Sequence, residues 1–255
     1  MRIVVKVGTS TIAHATGRMN IFLVEELCKV LSDIKNIGHE VVLVSSGAIG
    51  IGVGKLNLKE RPNDIPSKQA AAAVGQCELM YTYDRLFSQY NHVTAQILLS
   101  GSDFEKDESH INIKNTLNRL FEMNVIPIIN ENDTVATNEI SIGDNDTLAA
   151  VVAESVNADL LVLFTDIDGL YTADPRKDSN AKLLPRVESL TDEIISLGEG
   201  NGTKLGTGGM KTKLCAAKIA TNAGIDMVIA NGKDPKKLHN IVNGESVGTL
   251  FVGRK

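Results

Sequence analysis

The chain has 255 residues, 43% of them hydrophobic and 22% charged, with a formal net charge of −5. That length can bury a sizeable core, as one large α/β domain or two small ones. The acidic balance and the 4% aromatic content argue against a nucleic-acid partner, which would need a basic stripe and stacking platforms. No apolar run approaches the ~20 residues of a membrane span. The start, Met1-Arg2-Ile3-Val4-Val5-Lys6, reads as a strand with a charge inside it and not as a signal peptide. A cytoplasmic location without a membrane partner is therefore expected. Cys28, Cys77 and Cys215 form no CxxC pair and fall in helical patterns, so reduced core thiols are expected.

In chain order, residues 2–7 predict a first strand ending at Gly8-Thr9-Ser10. Ile21, Val24, Leu27, Leu31 and Ile34 recur at helical spacing, with Asn20 as N-cap and Gly38 as stop. Residues 40–45 predict a second strand, buried on both faces and ending at Ser45-Ser46-Gly47. A polar, Pro-containing loop at 57–66 leads to Ser67, read as the cap of an Ala-rich helix through about residue 89. A third strand is expected at 93–99, a charged, exposed stretch at 103–108, and an amphipathic helix on Ile113, Leu117, Leu120 and Phe121. Residues 125–129 predict a fourth strand. Pro127 lies inside it and cannot donate to a ladder, which suggests a missing neighbour there.

Polar loops follow at Asn130-Glu131-Asn132-Asp133 and Gly143-Asp144-Asn145-Asp146, and a buried helix opens at Thr147. Residues 160–164 predict a strand, 170–175 an irregular arm after the turn Asp168-Gly169, and 198–209 a glycine-rich loop. A helix over 210–223, a strand over 225–230, a helix opened by Asp234-Pro235 and a strand over 247–252 complete the chain. Strands alternating with helices imply right-handed crossovers and a mainly parallel sheet with helices on both faces.

Several motifs are absent. There is no GxxxxGK[ST], no GxGxxG after a strand, no HExxH and no GxSxG. The five histidines lie in polar contexts and read as solvated. Four strand-end clusters remain. Lys6 is either an edge lysine that snorkels or a cation facing phosphate, with Gly8 admitting the ligand to the backbone. Ser45-Ser46-Gly47 is either a turn and cap or a donor set for an anion. The two Asx-rich loops are either caps or a site for an ammonium group, a metal or a lysine. Gly206-Thr207-Gly208-Gly209-Met210-Lys211-Thr212-Lys213 puts cations at a helix N-terminus. That opposes the helix dipole unless an anion sits there.

These segments, together with Asn130 to Thr137 and Thr165-Asp166-Ile167-Asp168-Gly169-Leu170-Tyr171, resemble the amino acid kinase family in this order, and most specifically its glutamate 5-kinases. The resemblance covers essentially residues 2–251. It implies a three-layer αβα sandwich with a mainly parallel eight-stranded sheet. It implies one domain, 1–255, whose N-terminal lobe (about 1–150) binds glutamate and whose C-terminal lobe (about 151–255) binds ATP. The implied reaction is ATP-dependent phosphorylation of the side-chain carboxylate of L-glutamate, the first step of proline biosynthesis.

By motif position, Lys6, Asp146 and Lys213 would be catalytic, and Ser46, Gly47, Asp133 and Asn145 would bind glutamate. Lys6, Gly8, Thr165, Asp166, Thr207, Gly208, Gly209, Met210, Lys211, Thr212 and Lys213 would bind ATP. Mg²⁺ would be held mainly through phosphates and water, with no protein metal ligand. Proline would act as feedback inhibitor. A homo-oligomer and a functional link to glutamyl phosphate reductase are further expectations. The PUA domain that many longer relatives carry is not expected in this sequence.

Overall fold

The structure, a computed structural model, describes residues 1–135, 144–198 and 209–254. Thr207, Gly208 and part of the two polar motifs, residues 136–143, lie outside the described residues.

The strands are β1 (Arg2–Val7), β2 (Glu40–Val44), β3 (Thr94–Leu99), β4 (Ile126–Glu131), β5 (Leu160–Thr165), β6 (Arg186–Val187), β7 (Asp226–Asn231) and β8 (Thr249–Phe251). Among the described residues they form one eight-stranded sheet in the order β3-β4-β2-β1-β5-β7-β8-β6. Every pairing is parallel except β7 with β8. The parallel ladder puts all the carboxyl ends from β3 to β7 on one edge, which is where open α/β sheets bind ligands.

The helices are α1 (Thr9–Ile12), α2 (Ile21–Asn36), α3 (Ala48–Lys55), α4 (Ile65–Ser88), α5 (Gly101–Glu105), α6 (Asp107–Glu122), α7 (Asn145–Ser155), α8 (Asp192–Ser196), α9 (Met210–Asn222) and α10 (Lys237–Val242). The period-2 alternation of strand side chains divides the core into two layers. Ile3, Val5 and Val7 pack with Leu27 and Leu31 of α2, Leu79 and Phe87 of α4 and Leu238 of α10. Val4 and Val42 face the other way, onto Leu117 of α6, Ala149 and Val152 of α7 and Ala217 of α9. Lys6 shares the parity of Val4, so it emerges at the end of β1 on the side covered by α7 and α9. That explains a lysine in an otherwise apolar strand.

Pro127 is inside the sheet, not at its edge, and the exception has a local cause. The Ile126 N–H donates to Val93 O on the β3 side. Alternation then turns the nitrogen of residue 127 toward β2, and the β2–β4 ladder runs only over Leu43↔Ile128 and Val44↔Ile129. No ladder donor is lost at 127.

Other expectations are corrected. The cap of α4 is Asp64, whose side chain accepts from Ser67 N at 2.9 Å, so Ser67 is in the first turn and not the cap. β3 starts one residue late, at Thr94, and β4 runs on to Glu131. Asn130 and Glu131 therefore belong to a strand that stays paired with Leu98 and Leu99 of β3. The charged stretch at 103–108 is helical, spread over α5 and the start of α6. The seventh helix begins at Asn145, capped by Asp144, because an aspartate accepting two backbone N–H groups satisfies donors that Thr147 could not. Cys28 is buried, but Cys77 and Cys215 are exposed on the outer faces of α4 and α9. His92 is buried and not solvated.

Candidate active site

Three charged side chains from three distant elements meet above the sheet edge. Asp146, in the first turn of α7, is only 1% exposed. Its Oδ1 lies 2.6 Å from Lys6 Nζ at the end of β1, and its Oδ2 lies 3.0 Å from Lys213 Nζ in the first turn of α9. Thr212 Oγ1 is 2.9 Å from the same Oδ2 and 2.8 Å from Gly209 O. Burial alone would raise the Asp146 pKa, but the two ammonium groups outweigh it and hold the value at about 2. The carboxylate is thus ionised at neutral pH, with Oδ1 in an ion pair with Lys6 and Oδ2 bonded to Lys213 and Thr212. Asp144 fixes it from behind, accepting from Asp146 N at 2.6 Å and Thr147 N at 2.9 Å.

On the β2–β4 side of this cluster the groups are amides, hydroxyls and carboxylates. Ser46 Oγ accepts from Asn145 Nδ2 at 2.9 Å. Gly47 caps α3 with φ of 92°, a left-handed conformation that favours glycine. Ser45 Oγ lies 2.9 Å from the fully buried Tyr83 hydroxyl, which ties the strand-end turn to α4. Burial raises the pKa of Asp133, with Arg61 opposing, and raises that of Asp144, with the Asp146 charge adding to it. Glu131 is pushed up to about 7 by burial and by Asp133 and Asp144. Its Oε1 is buried without a hydrogen-bond partner. Carboxylates crowded this closely favour a proton or a cation among them.

On the β5–β7 side is a cavity of about 340 Å³ lined by Thr165, Asp166, Ile167, Asp168, Tyr171, Pro175, Arg176, Gly209, Met210 and Lys213. Lys213 therefore belongs both to this cavity and to the Asp146 cluster. Thr165, Asp166, Gly209, Met210 and Lys213 come together as the motif positions suggested. Lys211 is exposed and Thr212 turns to Asp146 instead. Gly8 sits beside Lys6: a Cβ there would lie 3.7 Å from Lys6 Nζ and 3.8 Å from Phe164 O, in ordinary van der Waals contact with the lysine head.

Asp168, Tyr171 and Arg176 were missed as lining groups, although the turn and arm that carry them were visible. Asn231 Nδ2 holds Asp168 at 2.9 Å. Gln76 was missed too, because an isolated glutamine in an Ala-rich helix carries no signal of its own; Asn130 was singled out only as part of the first Asx-rich cluster.

Among the described residues no group of three or more His, Cys, Asp or Glu side chains is arranged to hold a metal ion. With both Asp146 oxygens taken by ammonium groups, a divalent cation here would be carried by phosphate oxygens and water, as Mg²⁺ commonly is.

The chain matches the amino acid kinase family over residues 1–231. It is 52% identical to the glutamate 5-kinase of Clostridium perfringens, covering 100% of this chain and 96% of that relative. It is also 52% identical to the glutamate 5-kinase of Caldanaerobacter subterraneus subsp. tengcongensis, covering 100% of this chain and 68% of that longer protein. Among solved structures, carbamate kinase from Giardia lamblia bound to AMP-PNP superposes with a TM-score of 0.70 at 16% identity, covering 99% of this chain and 98% of that one. At that identity the likeness concerns the fold alone.

Proposed function

The chain belongs to the amino acid kinase family, and from that premise we propose that it transfers the γ-phosphoryl group of ATP to the side-chain carboxylate of L-glutamate. The product is L-glutamyl 5-phosphate, and the step opens proline biosynthesis. The observation that carries this reading is the Lys6–Asp146–Lys213 cluster, which lies between a cation-seeking amide and carboxylate pocket and a cavity that Lys213 also lines.

The chemistry follows from charge. A glutamate side chain has a pKa of about 4.3, so the acceptor is already an anion at neutral pH and needs no general base. A carboxylate oxygen attacks the γ-phosphorus, the bond to the β–γ bridging oxygen breaks, and ADP leaves with that electron pair. The obstacle is repulsion between two anions, so catalysis is positioning and charge neutralisation. Lys6 and Lys213 supply positive charge on the two sides of the transferring group. Asp146 keeps them oriented and takes no proton. Mg²⁺ on the nucleotide phosphates would supply further positive charge.

Ser46, Gly47, Asp133 and Asn145 take the amino acid in this scheme. Gly8, Thr165, Asp166, Lys211, Thr212 and the segment from Thr207 to Met210 take the nucleotide. Residues about 1–150 form the glutamate lobe and about 151–255 the ATP lobe of one domain. Proline as an inhibitor at the amino-acid pocket, a homo-oligomer, a cytoplasmic setting and a functional link to glutamyl phosphate reductase belong to the same proposal. The deciding experiment compares ADP release with glutamate, aspartate, acetylglutamate and carbamate. Glutamate should be strongly preferred; preference for another acceptor would overturn the substrate assignment.

A further inference from the structure

Between β4, α4 and α7 runs a chain of polar side chains that contains no charge. Asn130 is 1% exposed, and Gln76 and Ser46 are each 8% exposed. The Glu131 backbone N–H donates to Asn130 Oδ1 at 2.9 Å. A backbone N–H can only donate, so the Asn130 amide cannot be turned over without losing this bond. Asn130 Nδ2 consequently points to α4, where it donates to Gln76 Oε1 at 2.9 Å. The same Oδ1 uses its second lone pair to accept from Asn145 Nδ2 at 3.1 Å.

That contact fixes Asn145 in turn. Its Nδ2 protons go to Asn130 Oδ1 and to Ser46 Oγ, 2.9 Å away. Its Oδ1 is left buried without a hydrogen-bond partner. Ser46 Oγ accepts from Asn145 and so keeps its own proton to give. One backbone N–H in β4 thereby sets the donor or acceptor character of two groups beyond it.

We propose that Asn130 and Gln76 are positioning residues, forming an amide relay that makes Asn145 Oδ1 an acceptor for the substrate's α-ammonium and Ser46 Oγ a donor to a carboxylate. The relay selects the orientation of an α-amino acid in the pocket. A buried carbonyl oxygen without a donor is costly in the empty protein and is satisfied when an ammonium arrives. The inference rests on the amino-acid substrate proposed above and adds what orients it.

The test compares glutamate with glutarate, which keeps both carboxylates and lacks the ammonium. Binding of each is read by competition in the ADP-release assay, with folding checked by thermal melts. Asn130→Leu removes the relay's centre. Its glutamate-over-glutarate affinity ratio should fall about tenfold, the scale of one hydrogen bond to a charged group. Its kcat should change less than about threefold, with the KM for ATP unmoved. Gln76→Met should lower the same ratio by a smaller factor, and Gln76→Glu, which keeps an acceptor opposite Asn130 Nδ2, should restore it. If Asn130→Leu does not fold, the Gln76 pair decides.

An unchanged ratio, or equal losses for the two ligands, would overturn the relay. Failure of the unmodified enzyme to release ADP with glutamate would instead remove the substrate reading and this inference with it.

Discussion

Asp146 is held in a way that predicts how its loss will register. Its two oxygens are divided between two ammonium groups, so the neutral amide of Asp146→Asn would remove both ion pairs and turn an N–H toward one of the ammonium groups. We expect turnover to fall much more than glutamate affinity; an effect on KM alone would move the residue to a binding role. Lys6→Ala and Lys213→Ala should each lower kcat by roughly 10²–10³, the scale for losing one transition-state donor. Near-normal kcat in either variant would break the assignment. Lys6 and Lys213 stood out because each sits in a short motif and violates a local rule: a lysine in an apolar strand and a lysine at a positive helix end. Asp146, favourable in the first turn of its helix, was tied to the two lysines only by the family resemblance. Gln76 and Asn130 violate nothing. Their part depends on which groups the fold brings opposite them.

At the scale of elements, α3 and α4 lie backbone against backbone. A Cβ on Gly75 would fall 1.8 Å from Ala48 O, and one on Gly52 would fall 1.8 Å from Ala71 O. Helix propensity alone favours Gly75→Ala by about 1 kcal/mol. Overpacking against a carbonyl that cannot move costs about 1–3 kcal/mol or more, so the net sign should be destabilising. Urea unfolding would show it as a lower midpoint at unchanged slope. Because Gly75 precedes Gln76, the variant should also weaken glutamate binding. Strands and long helices were readable from apolar period. β6 was not, since two residues show no period, and the start of α4 was misread because Asp64 and Ser67 both belong to the N-terminal motif. Pro127 argued correctly for a missing neighbour but could not say that only the β2 side was missing, while the β3 side stays paired.

Across the whole molecule, the acidic pocket and the lysine cluster push stability in opposite directions with pH. Glu131, at about 7 in the folded protein against an ordinary 4.5, binds more protons folded than unfolded. Its contribution is complete below the unfolded value and is lost as pH rises through about 7. Asp133 and Asp144, both raised, act in the same sense. Asp146 is lowered, so its contribution is present above 3.8 and lost as pH falls toward about 2. The ligand-free protein should therefore melt at a lower temperature at about pH 8 than at about pH 5.5, and Glu131→Gln should shrink that difference. A difference that persists unchanged in the variant would point to other groups. The global architecture was the most legible level, because alternating strand and helix signals admit few topologies. The acidic pocket's titration was not, because it depends on burial.

β1 is the first strand in the chain and lies in the middle of the sheet, with Lys6 paired to Val44 on one side and Leu163 on the other. Backbone so placed exchanges its amide hydrogens only when the molecule opens as a whole, whereas the end of a helix frays at much lower cost. Lys213 is in the first turn of α9. The two lysines that grip one carboxylate are thus released by different events: global unfolding frees Lys6, while the melting of a single helical turn frees Lys213. Amide exchange should be slowest along β1 and markedly faster at the start of α9, so that the grip always loosens first from the side of the nucleotide cavity.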